Sequence, residues 1–218
     1  FGLTVEQTKI ETFDNSPQRF VDFVNQNGNE PMALITTTSW VRDRRDSAIW
    51  PTSGTVQRAT AEITLPVLDL RYYKLGYQLG WYYPITNDFT LYLNGELGYG
   101  GGYDDKQLPF FKAFYAGGPS SVRGYEQSTL GPRDVNGVLG GSRKVVGNAE
   151  ILFPVPGLRQ DRSARLGLFF DVGQVWLDQS PFTLSDLQLR YSTGIVFAWN
   201  SPFGPRKLSI AQPFNDQP

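Results

Sequence analysis

Tyr72-Tyr73-Lys74-Leu75-Gly76-Tyr77-Gln78-Leu79-Gly80-Trp81-Tyr82-Tyr83-Pro84-Ile85 keeps a period of two from end to end. In an extended chain Tyr73, Leu75, Tyr77, Leu79, Trp81, Tyr83 and Ile85 fall on one face, and Lys74, Gly76, Gln78, Gly80 and Tyr82 on the other. Alternation alone fits a soluble sandwich as well as a membrane barrel, because one face is apolar in both. Length separates the two. Strands of soluble domains run to ~5–6 residues, whereas a tilted membrane strand needs ~9–11. The quoted run exceeds the first figure and meets the second. Its polar face is rich in glycine and small polar groups, as a water-filled lumen allows.

The same rhythm extends in both directions. Phe89, Leu91, Leu93, Leu97 and Tyr99 stand against Thr90, Asn94, Glu96 and Gly98, and Ala59, Ala61, Ile63 and Leu65 against Arg58, Thr60, Glu62 and Thr64. Later, Ala149, Ile151, Phe153 and Val155 alternate with Asn148, Glu150 and Leu152. Leu166, Leu168, Phe170 and Val172 alternate with Arg165, Gly167, Asp171 and Gly173, and Leu189, Tyr191, Ile195, Phe197 and Trp199 with Arg190, Ser192, Gly194 and Asn200. Weaker strands are expected near Leu3–Glu11, Pro31–Arg42 and Lys207–Phe214, about nine in all. Tyr and Trp gather near strand ends (Trp81, Tyr82, Tyr83, Tyr99, Tyr103, Trp199), where an interfacial girdle would sit. The pattern predicts an all-β fold, a transmembrane antiparallel up-and-down β-barrel.

Composition narrows the chemistry. The 218 residues contain neither Cys nor His, which removes disulfides, thiolate nucleophiles, the commonest general base and the commonest metal ligand. No enzymatic activity, cofactor or metal is expected. With 19% charged residues and a net charge of −1, no nucleic-acid surface is indicated. Mean hydropathy is −0.32. No apolar run reaches the ~18 residues of a membrane helix, and an alternating strand would not produce one. Acidic and glycine-rich patterns leave weaker options. Glu150 and Asp171 could be read as a paired-carboxylate acid/base site, but nothing else suggests a sugar cleft. Gly98, Gly100, Gly101 and Gly102 could suggest a phosphate loop, but no Lys-Ser/Thr and no helix follow. Arg42, Arg44 and Arg45 with Asp43 and Asp46 read as a solvated turn.

The connections are unequal. Pro84–Asp88 and Asn200–Pro205 are tight, while the link from Tyr99 to Arg143 is long and rich in Gly and Pro. Short turns on one side and long loops on the other describe an outer-membrane barrel. With the long link outside, the strand count puts both tight turns on the periplasmic side. One short helix is predicted, with Ser16 as N-cap, Pro17 at the first position and Gly28 as the stop. Phe20, Phe23 and Val24 share one of its faces, as in a loop helix packed over the barrel rim.

The long link holds Phe114-Tyr115-Ala116-Gly117-Gly118-Pro119-Ser120-Ser121-Val122-Arg123-Gly124-Tyr125. This stretch resembles the VRGF/Y motif of the BamA superfamily of outer-membrane assembly and two-partner secretion proteins. Trp50-Pro51-Thr52-Ser53-Gly54, Pro109-Phe110, Asp171-Val172-Gly173-Gln174-Val175-Trp176, Trp199-Asn200-Ser201-Pro202-Phe203-Gly204-Pro205 and Ala211-Gln212-Pro213-Phe214 resemble family segments in the same order. The resemblance covers nearly the whole chain and implies a sixteen-stranded barrel, of which about nine strands are present. It further implies that the long loop folds back into the lumen and that Arg123 there contacts Glu150 and Asp171.

The physical chemistry agrees with that implication. A guanidinium inside a barrel needs anionic partners, and Arg offers a planar fork that Lys would not reproduce. Gly117, Gly118 and Gly124 would supply backbone freedom for the re-entry. Outside the motif context, Arg123 would read as an ordinary solvated loop residue.

The family function implied is the folding and insertion of β-barrel proteins into the outer membrane. An alternative is a secretion pore of the same superfamily, such as TamA or a two-partner secretion transporter, and a diffusion porin is a third reading. The implied partners are unfolded barrel substrates, accessory lipoproteins and the lipid bilayer. The chain opens in mid-pattern and is expected to be residues 1–218 of the C-terminal part of a barrel. On this reading the periplasmic POTRA domains, the first barrel strands and the last strand are absent.

Overall fold

The computed structural model describes residues 1–157, 163–177, 188–201 and 204–214. Nine strands form one sheet: β1 (Gly2–Gln7), β2 (Met32–Asp43), β3 (Gly54–Leu65), β4 (Tyr72–Pro84), β5 (Thr90–Gly102), β8 (Arg143–Pro154), β9 (Ala164–Trp176), β10 (Arg190–Ser201) and β11 (Gly204–Pro213). Two short strands in the long link, β6 (Arg133–Asp134) and β7 (Gly137–Val138), pair only with each other. Every sheet neighbour is antiparallel and consecutive in the chain once that small hairpin is set aside. All nine expected strands are present. Pro202, Phe203 and residues 215–218, which the sequence reading included in its last hairpin and terminus, lie outside the described residues.

Register carries the alternation from strand to strand. Gln78 pairs with Glu96, Asn94 with Asn148, and Asn148 with Asp171, so the polar positions share one face. Leu75, Trp81, Leu97, Ile151, Leu168, Phe170 and Ile195 occupy the other face and are exposed. A sheet that turns its apolar face outward and hides its polar one is built for a lipid surround. The sheet is also rolled. Arg165 of β9 donates from Nη1 to the Pro51 carbonyl in the β2–β3 turn at 3.1 Å, and its guanidinium lies 4.6 Å from the Trp50 ring centroid. In a flat sheet, strands β3 and β9 would stand roughly 19 Å apart at ~4.8 Å per strand.

The aromatic girdle is narrower than expected. Trp81 and Tyr83 lie outward with ring centroids 5.7 Å apart, and Tyr73 and Tyr99 lie outward near the opposite end, 5.9 Å apart. Tyr82 is on the lumen phase and stacks on Tyr92 at 4.4 Å. The Tyr103 hydroxyl donates to the Thr64 carbonyl at 2.6 Å. Neither belongs to the girdle: Tyr82 is one residue out of phase with Trp81, and Tyr103 lies past the end of β5.

The helix α1 (Gln18–Asn27) sits in the β1–β2 loop. Ser16 is not its cap. Pro17 keeps an extended ψ of 135° and its carbonyl accepts from the Phe20 and Val21 amides, while Ser16 Oγ turns back to accept from the Phe13 amide. Gly28 does end the helix, donating its N–H to the Val24 carbonyl at 2.8 Å. Phe20 stacks on Phe110 at 4.0 Å and Phe23 packs edge-on against Phe110 and Phe111. The helix therefore holds the start of the re-entrant long link as well as the rim, in a cluster with Ile10, Ile35, Leu70 and Tyr72.

At the other end of the barrel, the β2–β3 turn is organised by carboxylates. Asp43 binds Arg45 through two parallel hydrogen bonds of 2.9 and 2.6 Å. Partial burial pushes Asp46 upward, but hydrogen bonds from the Thr52 hydroxyl and amide and the Ser53 amide outweigh it and hold the carboxyl at about 2.

Two expectations follow. An outward charge at mid-strand should be costly: Ile195, 51% exposed on the apolar face, changed to Lys, should destabilise the protein in phospholipid vesicles by about 2–4 kcal/mol. Ser39→Lys on the lumen phase should cost far less, as read by denaturant titration. The Asp46 carboxyl sits below its unfolded value of about 3.9. Its stabilisation of the turn is thus full above pH 4 and fades as pH falls towards about 2. Protection of the Thr52 and Ser53 amides against exchange, relative to their intrinsic rates, should fall in that window, and Asp46→Asn should reduce the pH dependence to the part that Asp43, held low by Arg45, contributes.

Candidate functional site

The long link leaves β5 and returns through the inside of the sheet. Phe114 forms a two-way backbone bridge with Gly141, and Leu130 donates its amide to the Ala116 carbonyl at 2.9 Å. The wall makes room for it. A Cβ on Gly98 would lie 2.7 Å from the Phe114 ring, and one on Gly173 would lie 2.7 Å from Val122 Cγ2. The β5 glycines that could suggest a phosphate loop thus include one that seats an aromatic ring. Val122 is fully buried among Ala116, Leu130, Val146 and Val175.

The turn before the motif needs its glycines. Gly117, Gly118 and Gly124 have φ of +106°, +92° and +88°. A Cβ on Gly117 would also come within 2.5 Å of the Glu126 carbonyl oxygen. The Gly117 amide donates to Ser121 Oγ at 2.8 Å, closing the turn from inside. Tyr125 reaches β10 and donates its hydroxyl to the Tyr191 carbonyl at 3.0 Å.

Arg123 is the centre of the arrangement. Its Nε and Nη2 donate to Asp171 Oδ2 and Oδ1 at 2.7 and 2.6 Å, and its own amide donates to Asp171 Oδ2 at 3.0 Å. Nη1 donates to Glu150 Oε1 at 2.6 Å. Arg123, Glu150 and Asp171 are 5%, 3% and 0% exposed. Burial alone would weaken the guanidinium's hold on its proton. Its hydrogen bond to Asp171 and the charges of Glu150 and Asp171 outweigh that and raise its pKa above the ordinary value.

Register explains the fit. Asp171 lies opposite Asn148, and Glu150 lies opposite Phe169, so the two carboxylates are diagonal rather than face to face. The guanidinium spans the diagonal and lies 3.6 Å above the Phe169 ring. A cation desolvated over an aromatic face gains about 2 kcal/mol.

The structure therefore brings together Arg123, Glu150 and Asp171, and places Val122, Gly124, Tyr125, Gly117 and Gly118 around them. Both carboxylates are bound by cations, Asp171 by Arg123 and Glu150 by Arg123 and Lys207. Several contributors carry no motif of their own. Asn148 Nδ2 donates to Asp171 Oδ1 at 2.9 Å and to the Ser121 carbonyl at 2.6 Å. Asn94 donates to Asn148 Oδ1 and Gln78 to Asn94 Oδ1, at 2.9 and 3.1 Å, carrying the network back to β4. Lys207 of β11 donates to Glu150. A visible signal existed for each, since all stand on the polar phase of their strands. Phe169 had none, because it is an aromatic residue on the polar phase.

Comparison with known proteins adds to this geometry. The Omp85 superfamily domain matches residues 1–218. The chain is 37% identical over 257 aligned residues to the outer membrane protein assembly factor BamA of Neisseria meningitidis, covering 100% of this chain and 32% of that protein. It is 24% identical over 222 residues to BamA of Nitratidesulfovibrio vulgaris, covering 99% of this chain and 27% of the relative. The human sorting and assembly machinery component 50 homolog is 30% identical over 128 residues, 53% of this chain and 25% of that protein. The chain thus spans about a third of the length of the first of these relatives. In fold, it is similar to the crystal structure of BamA from Haemophilus ducreyi lacking POTRA domains 1–3. The TM-score is 0.81 at 23% identity, over 91% of this chain and 44% of that one.

Arg123→Ala should release the loop. Double-mutant cycles of Arg123→Ala with Glu150→Gln and with Asp171→Asn should show coupling of about 1–3 kcal/mol by denaturant titration. Additivity in both cycles would contradict a shared cluster. Arg123→Lys should recover only part of the loss, since it keeps the charge and loses the fork.

Proposed function

The chain belongs to the Omp85 superfamily, and on that premise we propose that it is part of the barrel of an outer-membrane protein assembly factor, one that folds and inserts β-barrel proteins into that membrane. It is an outer-membrane β-barrel protein. The observation that carries the proposal is the long loop folded into the lumen and held there by Arg123 on Glu150 and Asp171. A loop held on the polar face of the sheet in this way favours an assembly role, with strand edges as the active feature, over an open diffusion path. An unpaired edge carries a row of free amides and carbonyls, and an incoming strand can add to it without any covalent step. The substrates on this reading are unfolded β-barrel chains. Accessory lipoproteins would bind through the POTRA domains of the full-length protein, and the outward apolar face contacts the bilayer. No bond is made or broken.

The test is complementation. The full-length protein carrying Arg123→Glu replaces the native copy in its host, and porin levels in the outer membrane are followed. Loss of assembled porins, with the variant present and folded, is expected. Normal porin levels both with the variant and on depletion of the native protein would overturn the proposal and favour a secretion pore of the same superfamily.

A further inference from the structure

Glu150 is bound from two directions. Arg123 Nη1 lies 2.6 Å from Oε1 on the loop side. On the other side, Lys207 Nζ lies 2.8 Å from Oε1 and 3.0 Å from Oε2. The charges explain why two cations converge there. Arg123 with Glu150 and Asp171 carries one positive and two negative charges, so these three buried groups leave one charge unbalanced. A low-dielectric site penalises such an excess strongly. Lys207 restores neutrality. Its own side chain is 50% exposed, so it meets this demand without being buried.

The lysine also crosses the wall. It stands on β11, and β9 and β10 lie between that strand and β8, which carries Glu150. The loop leans on the same region. A Cβ on Gly124 would lie 3.2 Å from Ala211 Cβ and 3.3 Å from Pro213 Cδ, both on β11. Tyr125 is hydrogen-bonded to β10, the partner of β11. Loop and hairpin are therefore joined through Glu150 from below and through the Gly124-Tyr125 pair directly.

We propose that Lys207 is a further positioning residue for the lumen loop: it neutralises the second carboxylate, so that one guanidinium can hold two acids, and it fastens β11 to the loop's seat. This deepens the reading above and rests on the seated loop being the working state. Among the described residues the hydrogen bonds of the Lys207 ammonium go to Glu150, so its effect on loop position runs through that carboxylate. An ordinary lumen lysine resting on the nearest carboxylate would have no such effect.

The experiment reads loop position directly. This chain has no cysteine. Ser121, 7% exposed and two residues before Arg123, becomes the reporter as Ser121→Cys in the full-length protein freed of any other cysteine. Maleimide labelling of the folded species in isolated outer membranes then measures undocking.

Lys207→Met should speed labelling by about tenfold or more, because a docking equilibrium weakened by an unbalanced charge exposes the reporter more often. Lys207→Gln should do the same while keeping a polar end, and Lys207→Arg should restore protection. The decisive variant is Glu150→Gln with Lys207→Met. It returns the cluster to neutrality and should label more slowly than Lys207→Met alone. Labelling of both Lys207→Met and Lys207→Gln at the reference rate would overturn the proposal, as would a double variant no slower than the single. Porin levels in the same cells separate the two readings. Faster labelling with normal porins supports the lysine's role and counts against the assembly function, whereas unchanged labelling overturns the lysine's role alone.

Discussion

A guanidinium withdrawn from water has to find its counter-charges already in place, and Arg123 meets two carboxylates on adjacent strands of the barrel wall. Much of the lumen is arranged around that demand. Asp171 takes the fork and the backbone amide of the same residue, which fixes the loop's main chain as well as its side chain. Asn148 holds Asp171 from below while gripping the loop carbonyl at Ser121. A buried ion pair of this kind adds little net stability, because desolvation offsets most of its attraction. Its value is directional: the loop has one place where its charge is satisfied, and many where it is not.

The inversion of polarity makes such a site possible. Outside, Leu75, Leu97, Leu168 and Ile195 face the bilayer and need no partners. Inside, Gln78, Asn94, Asn148 and Asp171 hydrogen-bond in sequence from β4 to β9, and Lys207 closes on Glu150 from β11. Glycines along the same face thin the wall where the loop must come close, as Gly98 does for Phe114 and Gly173 for Val122. Helix α1 then seals the loop's first segment at the rim through Phe20 and Phe23. Loop, wall and rim form one packed unit, so a change at the ion cluster has a path to β10 and β11.

Much of this was legible from residue order. The strands were visible because a period of two persists far longer than a soluble strand requires. The residues from Val122 to Tyr125 stand out through their resemblance to a family motif; without it, Arg123 reads as an ordinary loop residue. Two features depart from the pattern for local reasons. Proximity puts Tyr82 in the girdle with Trp81 and Tyr83, but the alternation that places it on the polar face turns it into the lumen against Tyr92. Ser16 had a capping side chain, but the extended Pro17 moved the helix start beyond its reach.

By itself, the sequence determined which face each strand residue occupies, where the chain turns, and that neither histidine nor cysteine chemistry is available. These are local or compositional properties, set by the pleat and by the side chains present. Only the tertiary structure decided which lumen residues meet. The diagonal placement of Glu150 and Asp171 depends on the β8–β9 register, the stacking of Arg123 on Phe169 on the loop's depth, and the reach of Lys207 on the roll of the sheet. Contacts across a curved wall depend on the roll of the whole sheet, and no window of sequence contains that geometry.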